Sequence, residues 1–117
     1  MICIEALRIP CYFRWSRALC LTIWLVTAIK ESPAWTQGQN AIVVLWDEND
    51  YSVAPNVNKV LLIVDTNYGT HGIQSATPYN HFSLLKSIEA GLGLPCLNHA
   101  CDDDVKVMRD LFGHDHD

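Results

Sequence analysis

Five segments of this chain carry a regular pattern of hydrophobic positions, and each predicts one element of secondary structure. Residues 17–31 are apolar on every side of a helical projection, which indicates a helix buried on most sides. Two short apolar runs, Ala41–Trp46 and Lys59–Val64, are typical of strands buried on both faces of a sheet. Residues 81–92 and 103–112 each place apolar side chains on one helical face and predict amphipathic helices. The order helix, strand, strand, helix, helix is typical of an α/β layered fold.

The boundaries of the helix at 81–92 are also marked in the sequence. Asn80 is suited to cap its start, and Gly91 or Gly93 followed by Pro95 marks its end. The connection between the two strands is barely a dozen residues long, so their relative direction stays open. The predicted apolar stripe of the helix consists of Phe82, Leu85, Ile88 and Leu92.

The beginning of the chain allows two interpretations. Arginines precede an apolar run from Ala18 to Ile29, and Val26–Ala28 resembles a cleavage site, as in a secretory signal. The alternative is a buried helix that ends at Ser32-Pro33, where proline prevents continuation. The run is too short for a stable membrane span, which needs about 20 apolar residues. We favour the helix, and divide the chain into an irregular segment 1–16, a domain 17–113 and a solvated tail 114–117.

Charge and cysteine content limit the possible functions. The chain has 117 residues and a net charge of −5, and its few Lys and Arg residues do not form the cluster that nucleic acid requires. Its five cysteines are an odd number without metal-finger spacing. We expect most of them to be small apolar core residues, although Cys96 and Cys101 are near enough in sequence to form a disulfide.

An acidic pair, Asp47 and Glu48, directly follows the first predicted strand. We call these two residues the acidic doublet. In open α/β sheets, ligands bind beyond the carboxyl ends of the strands, and adjacent carboxylates there are suited to a hard divalent cation. Acidic residues after a strand also commonly form a solvated turn or a helix cap. From the residues alone both interpretations remain open.

Several motifs in order resemble the C-terminal part of the bacterial phosphoesterase family, which contains acid phosphatases and the non-haemolytic type of phospholipase C. The family has a Trp before a strand, a strand that ends in Asp-Glu or Asp-Asp, a second strand, a His-x-Ser-hydrophobic helix start, a Glu and a Gly-Leu-Pro stop. The similarity covers roughly residues 20–112. The corresponding positions here are Trp35, Asp47-Glu48, Val60–Val64, His81–Leu84, Glu89 and Gly93–Pro95.

The resemblance implies a partial alkaline-phosphatase-like layered fold with two or three strands plus helices, and metal-dependent hydrolysis of phosphate esters. It implies that Asp47 and Glu48 are ligands of a divalent metal. His81 corresponds to the family's His at the helix start, where a capping or supporting role is the alternative to catalysis, and His71 lies in a loop where a general acid could sit. Intact members are secreted or periplasmic.

The chain also departs from the family pattern. Asn49–Val53 stands where members active on phospholipids often have a glycine-aromatic stretch. The N-terminal half of the family, with its nucleophile and its Glu-Asn ligands, has no counterpart. We therefore expect a C-terminal piece with little or no activity of its own. The alternatives are a non-catalytic module that binds metal, phosphate or a partner chain, and a gene remnant that does not fold stably.

Overall fold

The computed structural model describes residues 16–52, 54, 57–69 and 71–113. They form a small mixed α/β domain with two α-helices and a two-stranded antiparallel sheet. Helix α1 spans Ser16–Lys30, strand β1 Ala41–Leu45, strand β2 Leu62–Thr66 and helix α2 His81–Gly91. Short 3₁₀ turns lie at Pro33–Thr36 and Asn98–Cys101. The predicted tail 114–117, and the predicted segment 1–16 apart from Ser16, lie outside the described residues.

Helix α1 forms where the apolar run predicts it and ends before Pro33, but the prediction that it is buried is wrong. Leu21 and Trp24 are 62% and 66% exposed. The helix faces the sheet with one side only, through residues such as Ile23 and Val26, which line a cavity rather than a packed interface. Among the described residues no helix has the length and hydropathy to cross a bilayer.

The sheet pairs Ala41 with Thr66 and Leu45 with Leu62 in antiparallel register, which settles the direction that the sequence left open. Strand β2 begins at Leu62, three residues after the predicted start at Lys59. The expectation of burial on both faces is wrong, because the strand residues are mostly half-buried. With only two strands and a helix on each side, too little protein covers either face.

Helix α2 begins and ends as predicted. The Asn80 side chain accepts the backbone N–H of Ser83 at 2.9 Å, and the Ser83 hydroxyl completes a capping box. Gly93, with φ of +66°, follows the C-terminal end in the left-handed region that glycine favours. The predicted apolar stripe does not face the core, however. Phe82, Ile88 and Leu92 are exposed, and the buried residues of the helix are Ser83, Leu84, Ser87 and Glu89.

The predicted helix over 103–112 is wrong, because this segment consists of turns around an extended stretch. Side chains of α2 form hydrogen bonds with backbone groups of this segment, which would be paired within the segment if it were a helix. The Ser87 hydroxyl accepts the N–H of Met108 at 2.9 Å, and the Lys86 ammonium donates to the carbonyl of Val105 at 2.8 Å. The small core lies between α2 and this segment, and consists of Leu84, Ala100, Val105 and Met108.

A disulfide joins Cys96 to Cys101 around the second 3₁₀ turn, with 5.3 Å between the two Cα atoms. Cys20 is disulfide-bonded as well. The disulfide between Cys96 and Cys101, which the sequence left open, is therefore present, and these three cysteines are not simply small apolar core residues. The loop between Cys96 and Cys101 lies against α2, where the His99 ring meets the Phe82 ring edge-on at 5.6 Å.

Candidate functional site

The acidic doublet lies in a turn at the end of β1. The Trp46 N–H donates to the carbonyl of Leu61 at 3.1 Å, so pairing with the segment that leads into β2 continues to the residue before Asp47. Both Asp47 and Glu48 are exposed, and the carboxylate of Asp47 accepts the backbone N–H of Glu48 at 3.0 Å. The ion pairs found among the described residues do not involve the doublet. Its carboxylates are therefore open to solvent and to cations.

The surroundings of the doublet do not complete a metal site. Among the described residues no three His, Cys, Asp or Glu side chains come together as a ligand group. Two carboxylates offer four oxygens at most, and Ca²⁺ takes six to eight ligands in a defined geometry. The residues present thus fit part of a coordination sphere and not a whole one.

A first cavity of about 400 Å³ lies between the sheet, α2 and the chain that leads into α2. Its apolar wall comes from both layers, for instance from Leu45 and Leu84. Its polar wall comes from the segment 74–81 and includes His81, one of the predicted catalytic residues. His81 is the first residue of α2 and is exposed. The polar lining residues are Gln74, Ser75, Thr77, Tyr79, Asn80 and His81.

The polar wall is held by the carboxylate of Asp110. The Ser75 hydroxyl donates to Oδ2 of Asp110 at 2.5 Å, and the Tyr79 hydroxyl donates to Oδ1 at 2.6 Å. We call Ser75, Tyr79 and Asp110 the Asp110 network. Burial alone would raise the pKa of Asp110 and is the largest single influence, but the hydrogen bonds together lower that pKa below its ordinary value. Burial, followed by the hydrogen bond to Asp110, raises the pKa of Tyr79.

A second, more apolar cavity of about 920 Å³ separates α1 from the opposite face of the sheet. His71, the other predicted catalytic residue, lies on its lining together with Asp65. The ammonium of Lys30 contacts the carboxylate of Asp65 at 2.6 Å across this space. Leu62, Ile73 and Leu111 line both cavities and separate them.

The structure does not bring the four predicted site residues together. His81 and His71 line different cavities, and the acidic doublet lines neither of the two. The residues that sequence reasoning missed are Ser75, Tyr79 and Asp110. Tyr79 and Asp110 are 31 positions apart, and the interval between them carries no motif that would indicate contact.

Comparisons with protein-family models, curated protein sequences and solved structures find no match to this chain.

Proposed function

We propose that this chain contributes the acidic metal ligands of a phosphate-ester hydrolase related to the bacterial phosphoesterase family. The single observation that carries the proposal is the acidic doublet, exposed and without an ion-pair partner among the described residues, directly beyond the end of β1. In this proposal Asp47 and Glu48 bind a divalent metal through carboxylate oxygens. A metal in this position would polarise a phosphate oxygen and offset the charge that develops during hydrolysis.

Local structure at the other end of the resemblance supports the same proposal. The His-x-Ser-hydrophobic motif would have to begin a helix, and α2 does begin at His81, with Ser83 in the capping box. The Gly-Leu-Pro motif would have to end that helix, and Gly93 follows it in the left-handed region. We further propose that β1, β2 and both helices are part of a larger layered fold similar to that of alkaline phosphatase.

The proposed role is that of a contributor to a site and not of a complete catalyst. Because the doublet lacks further convergent ligands among the described residues, we assign no chemical step to this chain alone. His81 is kept as a proposed supporting residue and His71 as a proposed general acid. Both assignments require an additional protein surface that brings the two cavities and the doublet into contact with one substrate.

Calorimetric titration with Mn²⁺ and Ca²⁺ tests the proposal. We expect weak binding, on the order of millimolar, that is lost when Asp47→Asn and Glu48→Gln are combined. The matched control combines Asp103→Asn with Asp104→Asn, which removes the same charge from another exposed acidic pair and is expected to leave binding unchanged. Equal loss in both double variants would mean that net charge, and not the doublet, attracts the metal.

Hydrolysis of p-nitrophenyl phosphate in the presence of Mn²⁺ complements the titration. We expect no turnover above that of the metal alone, since the ligand set of the described residues is incomplete. Clear turnover that disappears in Asp47→Ala would contradict the contributory role and indicate a complete site.

A second candidate function is a docking module without catalytic activity. The large exposed apolar side chains of α1, among them Leu21, Trp24 and Leu25, favour it. In this case a partner chain would cover the exposed side of α1. Size-exclusion chromatography and thermal unfolding followed by circular dichroism distinguish both candidates from a gene remnant, because a remnant would aggregate and lack the cooperative unfolding of a folded domain.

A further inference from the structure

The Asp110 network has no part in the proposed hydrolytic function, yet it forms one wall of the first cavity. Ser75 and Tyr79 line the cavity, and Asp110 lies behind them and fixes both hydroxyls. All three side chains are half-buried. A cavity of about 400 Å³ is within the size range of small-molecule sites.

The hydrogen bonds that Ser75 and Tyr79 already form determine which of their donors and acceptors are free for a ligand. A hydroxyl has one proton, and both Ser75 and Tyr79 give theirs to the Asp110 carboxylate. Their oxygens can then only accept. The Ser75 oxygen already accepts the N–H of Thr77 at 3.1 Å and retains one lone pair, and the Tyr79 oxygen, which also accepts from the Thr77 side chain, retains one lone pair as well. Ser75 and Tyr79 therefore each present one lone pair to the cavity, backed by the full negative charge of Asp110.

The start of α2 borders the same cavity and would by itself favour an anion. Two of its free N–H groups are already used, because the Asn80 side chain accepts the N–H of Ser83 and the Ser83 hydroxyl accepts the N–H of Asn80. A helix end carries about half a unit charge, whereas the Asp110 carboxylate carries a whole one. Of these two opposing charges, the Asp110 carboxylate is the larger and favours a cation.

We propose that the first cavity is a binding site for a small amphipathic primary amine. Its ammonium group donates to the hydroxyl oxygens of Tyr79 and Ser75 and compensates the charge of Asp110. Its apolar part lies against the opposite wall, where Leu84 and Met108 contribute side chains. Neither Asp47 nor Glu48 takes part, so this proposal does not depend on the proposed metal site.

Benzylamine, with benzyl alcohol and benzoate as probes of similar shape, tests the proposal on the full chain. Titrations followed by amide chemical shifts are expected to show saturable changes at residues 75–81 and 108–111 with benzylamine only. Because a hydrogen bond to a charged group is involved, Asp110→Asn should weaken binding about tenfold or more. Asp103→Asn removes a charge from an exposed position nearby in sequence and should leave the affinity unchanged.

Three results would overturn the proposal. They are the lack of any saturable shift with benzylamine, binding of benzoate to the same amides at least as tightly, and unchanged benzylamine affinity in Asp110→Asn. If Asp110→Asn does not fold, Tyr79→Phe decides, since it keeps the ring and removes one acceptor. Unchanged affinity in that variant would then have the same consequence.

Discussion

The hydroxyl of Ser87 links α2 to the C-terminal segment through hydrogen bonds. Its removal in Ser87→Ala should therefore lower the free energy of unfolding. The hydroxyl donates to the Ser83 carbonyl at 2.6 Å and accepts the N–H of Met108 at 2.9 Å. Met108 is 2% exposed, so no water replaces the lost partner. A buried donor left unsatisfied costs about 1–3 kcal/mol, and the better helix propensity of alanine returns roughly 0.5 kcal/mol. We expect a net loss of about 1–2 kcal/mol in the free energy of unfolding.

Urea denaturation measures this loss as a lower midpoint with an unchanged slope, because the variant exposes the same surface on unfolding. Ser32→Ala is the matched control. Its hydroxyl also donates to a carbonyl, that of Ile29 at 2.6 Å, but in a solvent-exposed bond. We expect the control to change stability by less than about 0.5 kcal/mol. Equal midpoints for Ser87→Ala and the control would refute the view that this hydrogen bond fixes the C-terminal segment.

Three further predictions concern the cap, the disulfide and the Asp110 network. Asn80→Ala removes the capping box and should cost about 1 kcal/mol in chemical denaturation; Asn80→Asp should retain most of the stability, and equal losses in both would argue against capping. Cys96→Ser with Cys101→Ser opens a short loop and should cost about 2 kcal/mol under oxidising conditions, but nothing relative to the reduced wild type. The pKa of Asp110 is lowered in the folded state, so its stabilising contribution is present above the ordinary carboxyl pKa and is lost as pH falls through the lower folded value. The acid side of the stability–pH curve should therefore be flatter in Asp110→Asn, and identical curve shapes would show that the network does not favour the ionised carboxyl.

Local signals in the sequence were sufficient for the end of α1, for β1 and for both ends of α2. Asn80 and Gly93 mark the ends of α2 because capping depends only on residues a few positions apart. The run Ala41–Leu45 forms a strand, and this too follows from local sequence, because β-branched residues favour extended backbone. Ser32-Pro33 ends α1, where proline removes the N–H that the next turn would need.

Contacts between residues that are distant in sequence could not be predicted from these local signals. The segment 103–112 has a helical apolar pattern, but Ser87 and Lys86 bind its backbone groups, and those partners lie on another element. The apolar stripe of α2 faces outward because the same hydrogen bonds turn Ser87 toward the C-terminal segment. The Asp110 network depends on two contacts over more than 30 residues, which no spacing rule reveals. Hydrogen bonds from another element thus decided both that 103–112 is not a helix and which face of α2 is buried.

The proposal that Asp47 and Glu48 bind a divalent metal is tested most directly by locating bound Mn²⁺ through the broadening of amide signals. The paramagnetic ion broadens the signals of nearby amides, so a few micromolar Mn²⁺ in a sample labelled with ¹⁵N reports the site without any activity. We expect broadening to begin at residues 46–50 and to disappear when Asp47→Asn is combined with Glu48→Gln. Broadening that begins instead at Asp102–Asp104, and persists in that double variant, would contradict the proposal.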